Sequence, residues 1–182
     1  MPRLPIIEEH KATEEIKNIY ATIKDELGFG FVPNLFKSMA INPAVLRGNW
    51  ENIRLTLLNG LIPRTLKEII CTAISAAKKN NYCLRIHLYR LSILGIDNEV
   101  LHGLQESSLD ELSIPERDKL IIKFALKVAL EPDLVTDKDF NELRDKGLTE
   151  GEILEVILTA ILVNSLNTYS KLIDINLDTN YV

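Results

Sequence analysis

Apolar residues recur at a 3.6-residue period along nearly the whole chain, and the breaks between periodic stretches carry the residues that start and stop helices. Ile16, Ile19, Tyr20, Ile23 and Leu27 follow the i, i+3, i+4, i+7 rule, with Thr13 placed to cap and Gly28 to stop. A short apolar turn is expected around Pro33, Leu35 and Phe36. Asn42 and Pro43 then open a long helix that Gly60 closes, the first by side-chain capping and the second by fixing φ. Pro63 starts a third helix with the stripe Leu66, Ile69, Ile70, Ala73, Ile74 and Ala77. Lys78 to Asn81 ends it and caps the next, which runs from about Tyr82 to Leu94 and stops at Gly95.

The second half continues in the same way. Asp97 or Asn98 caps a short helix through Val100, Leu101 and Leu104. The polar segment from Gln105 to Ser113, with Ser107 and Ser108, is expected to be a hinge between helical layers. Pro115 opens a helix with Leu120, Ile121, Phe124 and Val128 inward, and Pro132 ends it. Thr136 with Asp139, and Thr149 with Glu152, have capping-box spacing and start the last two helices. The final helix, about Glu150 to Ile173, carries Ile153, Leu154, Ile157, Ala160 and Ile161. Asn164 and Asn167 continue that stripe and are expected to make buried hydrogen bonds or an oligomer contact. The expectation is an all-α chain of about eight helices in a single domain, 1–182, with a helical hairpin at about 63–95 and C-terminal helices at about 115–174.

Composition agrees with this. Glycine and proline together make up about 8% of the chain against a usual share near 12%, which excludes a turn-rich β fold. With 182 residues the chain can bury roughly 70% of its unfolded surface without a disulfide or metal staple. The net charge of -5, with basic residues scattered, argues against nucleic acid as a partner. The longest apolar or near-apolar run, Ile157 to Val163, is shorter than the ~20 residues of a spanning helix, so no membrane is expected. Glu8 and Glu9 interrupt the N-terminus before a signal-peptide core forms, which leaves the cytoplasm as the expected location. Two cysteines, Cys71 and Cys83, are too few for a secreted disulfide framework.

Cys83 falls in the first turn of its helix, where free amides and the helix dipole favour a thiolate, so its pKa is expected to fall. His87 stands one turn further on the same face and can accept the thiol proton. On the preceding helix, Glu68, Cys71, Thr72 and Ser75 form a second stripe that can pack against this face, and a carboxylate there can orient the imidazole. The plainer reading makes Cys83 an inert small hydrophobe and His87 a core or surface residue. Arg85 and Arg90 flank the site helix, either to attract an anionic substrate or as solvated charges. His10 and His102 sit in polar stretches and carry no assigned role.

The order Glu68, eleven residues, Asn80, two residues, Cys83, three residues, His87 resembles the motif Glu-x11-Cys-x2-Cys-x3-His of the alkyl hydroperoxidase D-like (AhpD-like) proteins, within the carboxymuconolactone decarboxylase superfamily. The stretch Val32-Pro33-Asn34-Leu35-Phe36, Asn42-Pro43, the lead-in from Leu61 to Glu68, Tyr82, Leu94-Gly95, 137–147 and the pair Asn164 and Asn167 resemble its peroxidase-related branch. The resemblance implies that Cys83 is the peroxidatic cysteine, His87 its activating base and Glu68 the carboxylate of a proton relay. It further implies a homo-oligomer whose small-molecule partners are a peroxide and an external thiol reductant, with no cofactor and no metal. The chain departs from the motif at Asn80, which replaces the first, resolving cysteine.

Three readings follow. Cys83 can reduce a peroxide alone, its sulfenic acid resolved by an external thiol or, less simply, by Cys71. The chain can be a degenerate helical oligomer or binding module. Glu68 and His87 can run decarboxylase- or isomerase-type acid–base chemistry on a small carboxylic acid. A metal held by Glu68, Cys83 and His87 ranks below these.

Overall fold

The computed structural model describes residues 2–106 and 108–178, so Ser107 of the expected hinge lies outside the described residues. Among the described residues there are nine α-helices: α1 (Glu14–Leu27), α2 (Asn34–Met39), α3 (Pro43–Ile53), α4 (Arg64–Ala77), α5 (Asn81–Ile93), α6 (Asn98–Gln105), α7 (Glu116–Leu130), α8 (Asp137–Asp145) and α9 (Glu150–Leu172). There is no strand among the described residues.

The local signals act as their chemistry requires. Gly28 takes the left-handed conformation at φ 69° and returns its amide to Lys24 O at 2.9 Å. Asn42 accepts from the amides of Ala44 and Val45. Thr149 and Glu152 exchange both bonds of a capping box, at 2.7 and 3.2 Å. Thr13 sits at the N-cap of α1 but makes no side-chain bond there.

Four local expectations change. The apolar turn at Pro33 is the helix α2, whose first amide, at Asn34, donates to Asp178 Oδ1 at 2.8 Å. A carboxylate from the far end of the chain supplies that contact, so no local pattern announces it. The single helix expected from Pro43 to Gly60 is α3 followed by a wider π-helical turn at Arg54–Leu58. Buried Lys67 holds that turn, donating to Thr56 O at 2.8 Å and Asn59 O at 2.5 Å. Ala77 is exposed at the end of α4. The polar segment after α6 carries Leu112, which is buried against Gly103.

The core is built around α4. This helix buries ten of its residues and packs against α5, α7 and α9. The long α9 is, by length and composition, apolar enough to cross a bilayer, unlike the short run read from the sequence, and half of its most apolar window is buried inside the fold. Ile153, Val156, Ala160 and Val163 are buried on this helix, which packs against α4 and α7, whereas Leu154, Leu158 and Ile161 remain exposed. Leu154 and Ile161 therefore do not belong to the buried stripe in which the sequence placed them.

Candidate active site

The α4–α5 hairpin sets the site. Its turn places Lys79 at φ 51°, and the Asn80 amide donates to Ser75 O at 3.0 Å, which closes α4. Asn80 then opens α5 by accepting from the Cys83 amide at 3.1 Å. Its amide nitrogen reaches α9, donating to Asn167 O at 2.8 Å and to Ser170 Oγ at 2.9 Å. Asn80 is thus a buried three-way tie between the hairpin and α9. Asn167 is buried and donates to Ser75 Oγ at 3.0 Å, as a stripe asparagine is expected to do. Asn164 accepts from Lys78 Nζ.

Glu68 and His87 meet across the hairpin, His87 Nδ1 lying 2.7 Å from Glu68 Oε2. With Glu68 ionised, Nδ1 carries the proton and donates, which leaves Nε2 as the free acceptor of the ring. Cys83 stands one turn before His87 on α5. Both line an apolar cavity of about 50 Å³ with Glu68, Phe29, Leu57 and Ile86. The sequence pattern thus names three residues that the fold brings to one cavity.

The electrostatics of Cys83 differ from expectation. Burial pushes its thiol up to about 11, opposed by the Ser170 hydroxyl 3.4 Å from Sγ. That rise corresponds to on the order of 3 kcal/mol against the thiolate, more than the ~1 kcal/mol a helix N-terminus returns. Desolvation wins because Cys83 is buried beneath α9 rather than open at its helix end. Cys71 is buried as well, and both thiols are free. Burial first, then the charges of Glu68 and Cys83, raise the Cys71 thiol well above its ordinary range.

The site also contains residues that the sequence did not assign. Ser170, the hydroxyl beside Sγ, comes from α9 and has no local signal. Arg90 is 6% exposed and lines the cavity, which corrects its reading as a solvated charge, while Arg85 is exposed. Its Nη1 donates to Leu27 O, and its guanidinium carbon lies 5.1 Å from the centroid of the Phe29 ring. His10 and His102 are exposed. Among the described residues, no group of three or more His, Cys, Asp or Glu side chains is arranged to hold a metal ion.

The chain thus has an all-helical fold in which one helix of a hairpin carries a cysteine and a histidine one turn apart, and the other a carboxylate on that histidine, and solved structures share this fold. A peroxidase-related protein from Ralstonia eutropha JMP134 with an alkylhydroperoxidase AhpD core superposes with a TM-score of 0.89 at 25% identity, over 99% of this chain and 94% of that one. A peroxidase-related protein from Silicibacter sp. TM1040 gives 0.88 at 20% identity, over 99% and 94%. The debrominase Bmp8, solved as a Cys-to-Ala variant with 2,3,4-tribromopyrrole, shares the fold with a TM-score of 0.78 at 18% identity, over 92% and 88%. No family model matches the sequence. An alkyl hydroperoxide reductase of Mycobacterium tuberculosis is 28% identical over 85 residues, 47% of this chain and about a quarter, 24%, of the relative's length. The chain is thus similar to alkyl hydroperoxidase D-like, peroxidase-related proteins in fold over nearly its whole length, and to an alkyl hydroperoxide reductase in sequence over about half of it.

Proposed function

We propose that the protein reduces hydroperoxides through a single thiol, with Cys83 as nucleophile, His87 as base and Glu68 as the carboxylate that holds and polarises the imidazole. The observation that carries this reading is the Glu68–His87 bond at 2.7 Å beside a cysteine that lines the same apolar cavity. A thiol raised by burial needs a base to reach it, and the nitrogen of His87 turned away from Glu68 is available for that proton. Cys83 sulfur then attacks the distal peroxide oxygen. The S–O bond forms, the O–O bond breaks, and the leaving alkoxide takes the proton from His87 and departs as an alcohol. An external thiol attacks the sulfenic acid, releasing water and leaving a mixed disulfide, and a second thiol frees Cys83 and carries away the disulfide.

Asn80 supports external resolution, since the position that would hold a resolving thiol carries instead a capping side chain with three partners. A homo-oligomer is part of the proposal. Leu154, Leu158 and Ile161 expose 55%, 45% and 52% of their surface along one face of α9, with Leu61 beside its first turn at 66%. We place the protein in the cytoplasm, where small thiols are abundant.

The test is steady-state loss of an organic hydroperoxide in the presence of a thiol reductant. Turnover in the native protein and none in Cys83→Ser is the expected result. Turnover that survives in Cys83→Ser but is lost in His87→Ala sinks the thiol mechanism in favour of acid–base chemistry. No turnover and an unoxidised Cys83 sink it in favour of a binding module.

A further inference from the structure

Arg90 and Glu68 line the cavity beside Cys83, and Arg64 stands next to Glu68, so two cations meet one carboxylate at the edge of the cavity. Arg90 uses Nη1 on Leu27 O, but its buried Nε has no acceptor among the described residues. Arg64, four residues before Glu68 on α4, likewise has no acceptor for Nε and Nη2, and Nε stands 3.8 Å from Glu68 Oε1, beyond hydrogen-bond reach. Glu68 already serves His87. Burial first, and then the charge of Arg64, hold the Arg90 guanidinium below the ordinary arginine range, so the two cations feel each other. Two guanidiniums thus share one carboxylate in a largely apolar setting, with three buried guanidinium nitrogens left without an acceptor among the described residues. Groups of this kind are costly to bury unless something pairs with them.

We propose that Arg64 and Arg90 form the binding site for the anionic group of the substrate, which is a small organic molecule bearing a carboxylate. The guanidinium fork suits a carboxylate in particular, because two parallel N–H groups meet its two oxygens. The apolar walls at Phe29, Leu57 and Ile86 take the body of the molecule, and its reactive end meets Cys83. A cavity of about 50 Å³ holds roughly three to five water-sized groups, which selects a short-chain acid over a lipid. The net charge of the whole chain is -5, so the attraction is local to this pocket. The inference rests on the thiol reading only in taking Cys83 as the reacting atom.

The test compares alkylation of Cys83 by iodoacetate and by its neutral isostere iodoacetamide near pH 9, with Cys83 resolved from Cys71 by peptide mass. In both reactions the sulfur attacks the methylene carbon, iodide leaves and the thiol proton passes to solvent, so the ratio of rates isolates the carboxylate. The expected ratio, iodoacetate over iodoacetamide, exceeds that of a free cysteine peptide by about tenfold. It falls to the peptide value in Arg64→Gln, a residue whose Nε and Nη2 have no hydrogen-bond acceptor among the described residues, and is partly kept in Arg90→Lys. A native ratio equal to the peptide's overturns the proposal. If neither reagent labels Cys83, melting in acetate against equal acetamide decides: stabilisation by acetate alone, lost in Arg64→Gln, supports the site, and equal melting overturns it. A high ratio in a protein that consumes no peroxide keeps the anion site and removes the peroxidase reading.

Discussion

At the scale of single residues, Cys83 is governed by two opposed effects. Its helix start favours the thiolate and its burial favours the thiol, and burial is the larger effect. The alkylation rate of Cys83 with a neutral reagent is therefore expected to climb with pH toward about 11, because the reactive thiolate accumulates only there. A plateau near the ordinary value of about 8.5 refutes the burial argument. The same contrast explains what the sequence shows at this scale. Asn80 as a cap, and the spacing of Glu68, Cys83 and His87, are local facts of a hairpin and can be read directly. The burial of Arg90 and the approach of Ser170 depend on α9 and on Leu27, which are distant in the chain, and no periodicity carries them.

At the scale of elements, the segment between α3 and α4 is held by charge as well as by the burial of Leu57 and Ile62. Glu155 of α9 accepts from the amides of Leu61 and Ile62 at 2.7 Å each and from buried Lys67 at 2.5 Å. Gly60 passes beneath this carboxylate at φ 125°, and a Cβ there would stand 1.4 Å from Glu155 Oε1. Gly60→Ala is expected to cost at least about 2 kcal/mol in a denaturant titration, since it adds both backbone strain and a collision with a buried ion pair. A loss below 0.5 kcal/mol, the range of an ordinary surface change, contradicts this account of the loop. Gly60 is legible in the sequence as a helix stop. Its role under Glu155 is not, because the partner lies about ninety residues away. The same holds for α2, a six-residue helix whose first amide is met by Asp178.

At the scale of the whole molecule, the helical class is legible because most of the long helices declare their own period, and α3, α5 and α9 their side-chain caps as well. What the period does not reveal is which apolar residues of α9 face inward, since this helix is apolar on more than one side. Its outward leucines lead to the expectation of assembly. Sedimentation is expected to show the native chain as an oligomer and Leu158→Glu as a smaller species with unchanged helix content. A native monomer contradicts the assembly.

The central claim is that one cysteine performs the chemistry and that no second thiol in the chain completes it. The most direct measurement is the intact and peptide mass of the native protein after one equivalent of organic hydroperoxide, with a sulfenic-acid trap present and no reductant. The expected result is trap adduct on Cys83 alone, with Cys71 still a free thiol. A disulfide between Cys71 and Cys83, or an unmodified Cys83, contradicts it.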